Sequence, residues 1–352
     1  VIVTRQINHA ENRNSGYDKK GIVFTIMQGD VEKNYGLIRN ELLQSGAVSS
    51  VTKTMGPISQ KWSDSWGFSW TGSTEADKKT DFLQFSTDAG LVATMNMSLI
   101  QGRDIDVFKY PTDSTAVLIT EKAKEAMHLK DPIGALLKAQ GREWHIVGVI
   151  KSFIIESPYD NILPMIIYGP KLWFNAIHYK LNPAHGTKEN LDKIEAVFKK
   201  YNADYPFDYH FVDGDYAKKF EETQRVGALS ALFAGLSIFI SCLGLLGLII
   251  FIAETKTKEI GVRKVLGASV IGITTLLSKE FLKLIAISFA IAAPVAWWAM
   301  RLWLMNYTYR VTIQWWWFLF TGAASLAIAL ATLSYHAIRA ATANPVKALR
   351  SE

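Results

Sequence analysis

The sequence predicts an α+β extracytoplasmic head at residues 1–222 joined to an α-helical transmembrane bundle at residues 223–352. Three observations carry that prediction. Charge is unevenly laid out: the first 222 of the 352 residues hold 26 Lys and Arg against 28 Asp and Glu, and the remainder holds 12 against 4. Three stretches, 226–253, 281–304 and 315–337, are long enough to cross a bilayer, which takes about 20 mainly apolar residues. Before them, short strand-like and helix-like runs alternate without the βαβ regularity of a parallel sheet.

Within the head, residues 1–7 are a short apolar start. Residues 21–27 (GIVFTIM) read as a strand, and 31–44 places Val31, Tyr35, Leu37, Ile38 and Leu42 at helical spacing, with Gly46 ending the helix. Strands are expected at 48–54 and at 66–71, the second with Trp66, Phe68 and Trp70 on one apolar face. Residues 82–106 hold a strand, a helix capped near Thr87 or Asp88, and the Gly102-Arg103 turn. A strand at 116–120 feeds a helix through Met127, Asp131-Pro132-Ile133-Gly134 forms a turn, and 144–151 (WHIVGVIK) is a strongly apolar strand. Strands at 164–168, 174–181 and 207–212 and a helix at 188–201 complete the head. From Gly214 a polar helix with Lys218, Lys219, Glu221, Glu222 and Arg225 leads onward.

The first and third apolar stretches contain no Asp, Glu, Lys or Arg; the second carries Lys283 and Arg301 near its ends. Nine of the twelve basic residues of the bundle fall in the hinge 254–280, at Lys283 or in the tail 339–352, which assigns that side to the cytoplasm. Trp297, Trp298, Trp303, Tyr307, Tyr309 and Trp315 to Trp317 surround the connector 305–314, as an aromatic belt at the outer interface should. In the first stretch Ala231, Ala234, Ser237, Ser241 and Gly244 recur every three or four residues and form a small-residue stripe for close helix packing. Pro294, inside the second, removes a backbone donor and is expected to kink its helix.

Several chemistries are excluded. No GxxxxGK[ST] phosphate loop, HExxH, GxSxG elbow or CxxC pair occurs, so the chain is read as non-catalytic and without a cofactor or metal of its own. Cys242 stands alone in an apolar stretch, and the seven histidines lack ligand spacing. Asp104 and Asp106 could face one another as a carboxylate pair, but beside a Gly-Arg turn they read as structural. The pI of about 9.1 belongs to the bundle and gives no support to nucleic-acid binding.

The hinge carries ETKTKEIGVRKVLGASVIG, with Ile260, Val262, Val265 and Leu266 at helical spacing, Gly267 to end the helix and Ser269 to cap the next. The run EIGVRKVLGAS resembles the cytoplasmic motif of the MacB/FtsX-like ABC transporter permeases. The LGLLGL run at 243–248, the tail ATANPVKALRSE, and the GR turn, DPIG turn and IVGV strand of the head resemble the same family. Where that family often has Asp-Phe after the last of these strands, this chain has Ser152-Phe153.

The resemblance implies a MacB-like periplasmic domain and an FtsX-like transmembrane domain in the bacterial inner membrane. It implies a permease subunit acting by mechanotransmission: a separate cytoplasmic ATP-binding subunit hydrolyses ATP and the membrane helices pass movement to the periplasmic domain. On it, Glu259, Arg263 and Lys264 contact the ATPase, Ile260 and Leu266 fill its groove, and Gly261 and Gly267 permit close approach and the turn. It also implies pairing with a second permease unit, as a homodimer or as two halves of one longer chain, with membrane lipid around both and room for a periplasmic or outer-membrane partner. Residues 1–7 would then be the outer end of a preceding span, and the cargo would fall within efflux, lipoprotein or peptide handling, or cell-envelope control. Two other readings stand beside this one: a membrane-anchored periplasmic sensor or binding protein without a coupled ATPase, and a membrane-tethered periplasmic enzyme.

Overall fold

The computed structural model describes residues 2–255 and 270–342. The chain divides into two compact units, one of Ala10–Glu221 and one that combines the residues up to His9 with those from Glu222 onward.

The first unit is α+β and holds two sheets. The smaller is antiparallel throughout, in the order β12 (His210–Phe211), β1 (Ile22–Ile26), β11 (Ala176–Leu181), β2 (Val48–Thr54). Helices α2 (Val31–Gln44) and α5 (Thr187–Tyr201) cover it, because each turns one apolar stripe inward: Tyr35, Ile38 and Leu42 from α2 and Ile194, Val197 and Phe198 from α5 meet Val23, Val51, Ile177 and Tyr179 of the strands. Gly46, with φ of +68°, takes the left-handed conformation that follows α2.

The larger sheet is mixed. Its order is β3 (Ser63–Ser65), β5 (Phe82–Ser86), β10 (Met165–Tyr168), β7 (Ala116–Thr120), β9 (Arg142–Ile150), β8 (Leu136–Ala139), β4 (Ser69–Trp70), and β6 (Leu99–Gly102) pairs with the far end of β9. β10 runs parallel to β5 and β7 parallel to β9. The last five residues of β9 are all buried, which accounts for its unbroken apolar run: a strand covered on both faces has no solvent side to alternate toward. Gly148 in that run is required by packing, since a Cβ there would come within 2.2 Å of the Arg103 carbonyl oxygen. Helix α4 (Glu121–Ala126) starts at Thr120, whose hydroxyl accepts from the Ala123 N–H, and its Ala123 packs under the sheet with Val117, Ile119, Trp144 and Ile166.

Three details differ from the sequence-based expectations. The strand at 66–71 is shorter: Phe68 and Trp70 are buried but Trp66 is 72% exposed, because Gly67 at φ of +85° breaks the alternation between them. Helix α3 (Leu91–Met95) follows Gly90, not Thr87 or Asp88; the Asp88 carboxylate instead accepts the Lys53 N–H at 2.7 Å. The strand at 207–212 contracts to two residues, and Val212 already begins the next helix.

The second unit is helical. α6 (Val212–Thr255) reaches into it, and α7 (Val270–Leu304) and α8 (Trp315–Thr342) lie wholly within it, with the residues up to His9 of α1 (Ile2–Glu11). Among the described residues, Val212–Leu248 and Leu282–Leu304 are helices long and apolar enough to cross a membrane, and Trp315–Ala331 is apolar but shorter. α7 packs along α8, and Gly322 of α8 fits because a Cβ there would lie 2.6 Å from the Phe289 ring.

Candidate functional site

The residues expected to meet an ATPase, Glu259, Ile260, Gly261, Arg263, Lys264, Leu266 and Gly267, lie outside the described residues. Their flanks are described. α6 ends at Thr255, whose hydroxyl donates back to the Phe251 carbonyl at 2.7 Å, and α7 begins at Val270. The charged motif therefore falls between the ends of two long helices, within residues 256–269.

The small-residue stripe of α6 is open. Ala231, Ala234, Ser237, Ser241 and Gly244 are all exposed, and a Cβ built on Gly244 would meet nothing within 4 Å. Ser237 donates to the Phe233 carbonyl at 2.9 Å, so its hydroxyl is satisfied within its own helix and adds no polarity to the stripe. Around the stripe Leu229, Leu232, Phe233, Leu236, Phe239 and Ile240 are between 49% and 65% exposed. In water this would be an aggregation hazard; in a bilayer, or against another helix, it is a packing face.

Pro294 is accommodated within the continuous helix α7. Ala292, Ala293 and Ala296 beside it, Ile2 of α1 and Phe318 and Thr321 of α8 line a groove of about 420 Å³. Small side chains around a proline leave room there, and Thr321 donates to the Trp317 carbonyl at 2.8 Å.

The aromatic connector is held by a contact with no clear signal in the sequence. Gln6 of α1 is fully buried; its amide donates to the Tyr309 carbonyl at 2.8 Å and its carbonyl oxygen accepts the Val311 N–H at 2.9 Å. The His9 ring stacks on Tyr309 with centroids 4.3 Å apart. Residues 1–7 are read from the sequence as a short apolar start; Ile2 onward instead forms helix α1, whose Gln6 and His9 side chains organise 305–314. Helical spacing of Ile2, Gln6 and His9 could have shown a shared face, but nothing local marks Gln6 as buried.

In the head, Asp104, Asp106, Arg103 and His178 are engaged in structure. Asp104 accepts N–H bonds from Val92 and Ile105 at 2.9 and 2.8 Å, and Asp106 accepts from Phe108 and Lys109, both at 3.1 Å. Burial pushes the Asp104 carboxyl up to about 6 against the pull of its two N–H donors. Arg103 grips the fully buried Asp113 with both terminal nitrogens at 2.5 and 2.7 Å, a bidentate pair that the Gly-Arg turn alone does not foretell. His178 is fully buried, with Nε2 accepting the Ile58 N–H at 3.2 Å and Nδ1 3.0 Å from the Thr54 hydroxyl. Burial drives it down to about 3, so it is neutral and structural. Ser152, where the resembling family often has Asp, accepts the Lys122 N–H at 2.9 Å at the start of α4. No group of three or more His, Cys, Asp or Glu among the described residues is placed to hold a metal ion.

Residues 231–345 match the family model of the FtsX-like permease C-terminal domain. The chain is 25% identical over 188 residues to the macrolide export ATP-binding/permease protein MacB of Mannheimia succiniciproducens, covering 49% of this chain and 28% of that protein. It is 23% identical over 190 residues to the MacB of Aggregatibacter actinomycetemcomitans, covering 50% and 29%. It thus spans less than a third of the length of these curated relatives. Among solved structures, the periplasmic region of MacB from Actinobacillus actinomycetemcomitans aligns with a TM-score of 0.41 at 13% identity, over 60% of this chain and 97% of that one. The chain carries an FtsX-like permease domain and is a relative of the MacB-type permeases.

Proposed function

We propose that this chain is the permease part of an ABC transporter that works by mechanotransmission in a bacterial inner membrane, with residues 1–222 as a periplasmic head. The observation that carries the reading is the match of residues 231–345 to the FtsX-like permease C-terminal domain, a segment that includes the hinge EIGVRKVLGAS. ATP is hydrolysed by a cytoplasmic ATP-binding partner, and the hinge receives its movement: Arg263, Lys264 and Glu259 make polar contacts, Ile260 and Leu266 fill an apolar groove, and Gly261 and Gly267 allow close approach. α6, α7 and α8 each span the bilayer. Nothing need travel between the helices, because the work is done by the head.

The exposed stripe on α6 supports a second permease unit as a partner, since an apolar face with small side chains lets two helix backbones approach and has no cover from this chain's own described residues. The cargo belongs to the classes handled by an envelope pump of this type, of which macrolide export is the one that its relatives' names give.

The test is co-purification of the full chain from detergent-solubilised native membranes, with and without charge reversal at Arg263 and Lys264. The expected result is an ATP-binding protein that accompanies the parent chain and is lost from the variant. A chain that is folded and comes out alone under mild conditions contradicts the permease reading and leaves a membrane-anchored sensor in its place.

A further inference from the structure

Two loops of the head that are far apart in sequence are held by the same face of α6. Residues 153–163 form no strand or helix, so their backbone carbonyls need donors from elsewhere. Lys219 supplies one set, donating to the Ile155 carbonyl at 2.7 Å and also to that of Glu156. Arg13 supplies another, to the carbonyls of Pro158 at 2.8 Å and Asp160 at 2.6 Å, and the Ile154 N–H donates to the Ser15 carbonyl at 2.8 Å. One turn earlier on α6, the Asp215 carboxylate accepts from the hydroxyl of Ser59 and from the Gln60 side-chain amide at 3.0 Å. The Ile58 N–H of that loop is fixed on its other side to the neutral His178 ring. Apolar contacts follow the same face, since Tyr216 and Phe220 are buried and Phe220 meets Tyr159 edge-on with centroids 5.8 Å apart.

Positions 215 and 219 lie four apart and so share one side of the helix. A rotation or slide of α6 by a fraction of a turn would strain both sets of charge-assisted bonds together. Lys61 adds a direct link between the loops, 3.8 Å from the Glu156 carboxylate. We propose that Asp215 and Lys219 are positioning residues that make loops 56–62 and 153–163 open and close as one unit with α6. The proposal deepens the permease reading, on which it rests for its use in transmitting motion; the geometry of the clamp does not depend on it.

Hydrogen exchange of the full chain in detergent tests it, because backbone protection at Ile58, Gln60 and Ile154 reports each loop separately and requires no ATPase. Lys219→Met is expected to speed exchange about tenfold at Ile154 and also at Ile58 and Gln60, which Lys219 does not touch. Asp215→Asn is expected to act in the reverse direction, on Ile154 as well as on its own loop. Lys219→Arg, which keeps the charged donor, restores protection at both, and the amides of β11 stay unchanged throughout as the check that the head is folded. If Lys219→Met does not fold, the milder Asp215→Asn carries the test. A change confined in each variant to the loop that the residue contacts overturns the proposal. Coupled exchange in a chain that purifies without any ATPase would uphold the clamp while the permease reading fails.

Discussion

Asp113 has no exposure to solvent and receives both terminal nitrogens of Arg103 together with the Asp106 N–H at 2.9 Å. Asp113→Ala leaves that N–H without its partner, while the Arg103 side chain, 38% exposed, can turn to water. The expected loss is therefore about 2–3 kcal/mol, below that of a fully buried pair, read from the urea midpoint of the full chain in detergent. Two other head residues oppose each other in pH dependence. His178 sits at about 3 because of burial, so between pH 4 and 6 the unfolded chain binds a proton there that the folded chain does not, and stability rises with pH. Asp104 sits at about 6, also because of burial, so in the same window the folded chain holds the extra proton and stability falls as pH rises. Each contributes at most about 1.4 kcal/mol per pH unit, and the two largely cancel. Asp104→Asn should make the stability slope between pH 4.5 and 5.5 more positive than the parent's, and His178→Gln more negative. Unchanged slopes in both would show that neither group is held as the geometry implies.

Among the elements, the legible ones are those whose burial is decided by their own periodicity. Helix α2 is readable to its ends from Val31, Tyr35, Ile38 and Leu42, although Leu37, counted with them from the sequence, is exposed, and β9 is readable from its continuous apolar run. What escapes is decided by partners distant in sequence or by a local break in the chain. Trp66 has the spacing of an apolar face, but the turn at Gly67 releases it to solvent, and Gln6 gives no local sign of the connector it holds from more than 300 residues away. The Asp113 partner of Arg103 is hidden because nothing in a Gly-Arg turn says which carboxylate will meet it. Of the candidate site, the stripe on α6 and Pro294 fall where helices are expected, whereas the hinge residues 259–267 lie outside the described residues. Gln6→Leu tests the α1 contact at this scale. It removes the donor to the Tyr309 carbonyl and the acceptor of the Val311 N–H, at about 1–3 kcal/mol for the orphaned amide. Faster exchange of the Val311 amide, by about tenfold or more, is expected in detergent. Exchange equal to the parent's would mean that the connector holds itself.

At the scale of the whole molecule, charge and apolarity are segregated along the chain: a balanced α+β head, then long helices with few charges, with the basic hinge between two of them. On the proposed function, that layout suits a machine in which energy is spent on one side of a membrane and motion is used on the other, because no ionisable residue need enter the bilayer core to carry it. In the head, the charged side chains described above serve as caps, clamps and ion pairs. On the proposed function, the hinge couples this chain to an ATPase. The most direct measurement is ATP hydrolysis by the complex purified from native membranes through the full chain, with and without Gly267→Trp. The account predicts ATPase activity with the parent chain and its loss, by about tenfold or more, when the bulky indole blocks the hinge from its groove, since overpacking of one close contact costs about 1–3 kcal/mol. Equal activity in the two preparations, or none in either from a folded chain, would contradict it.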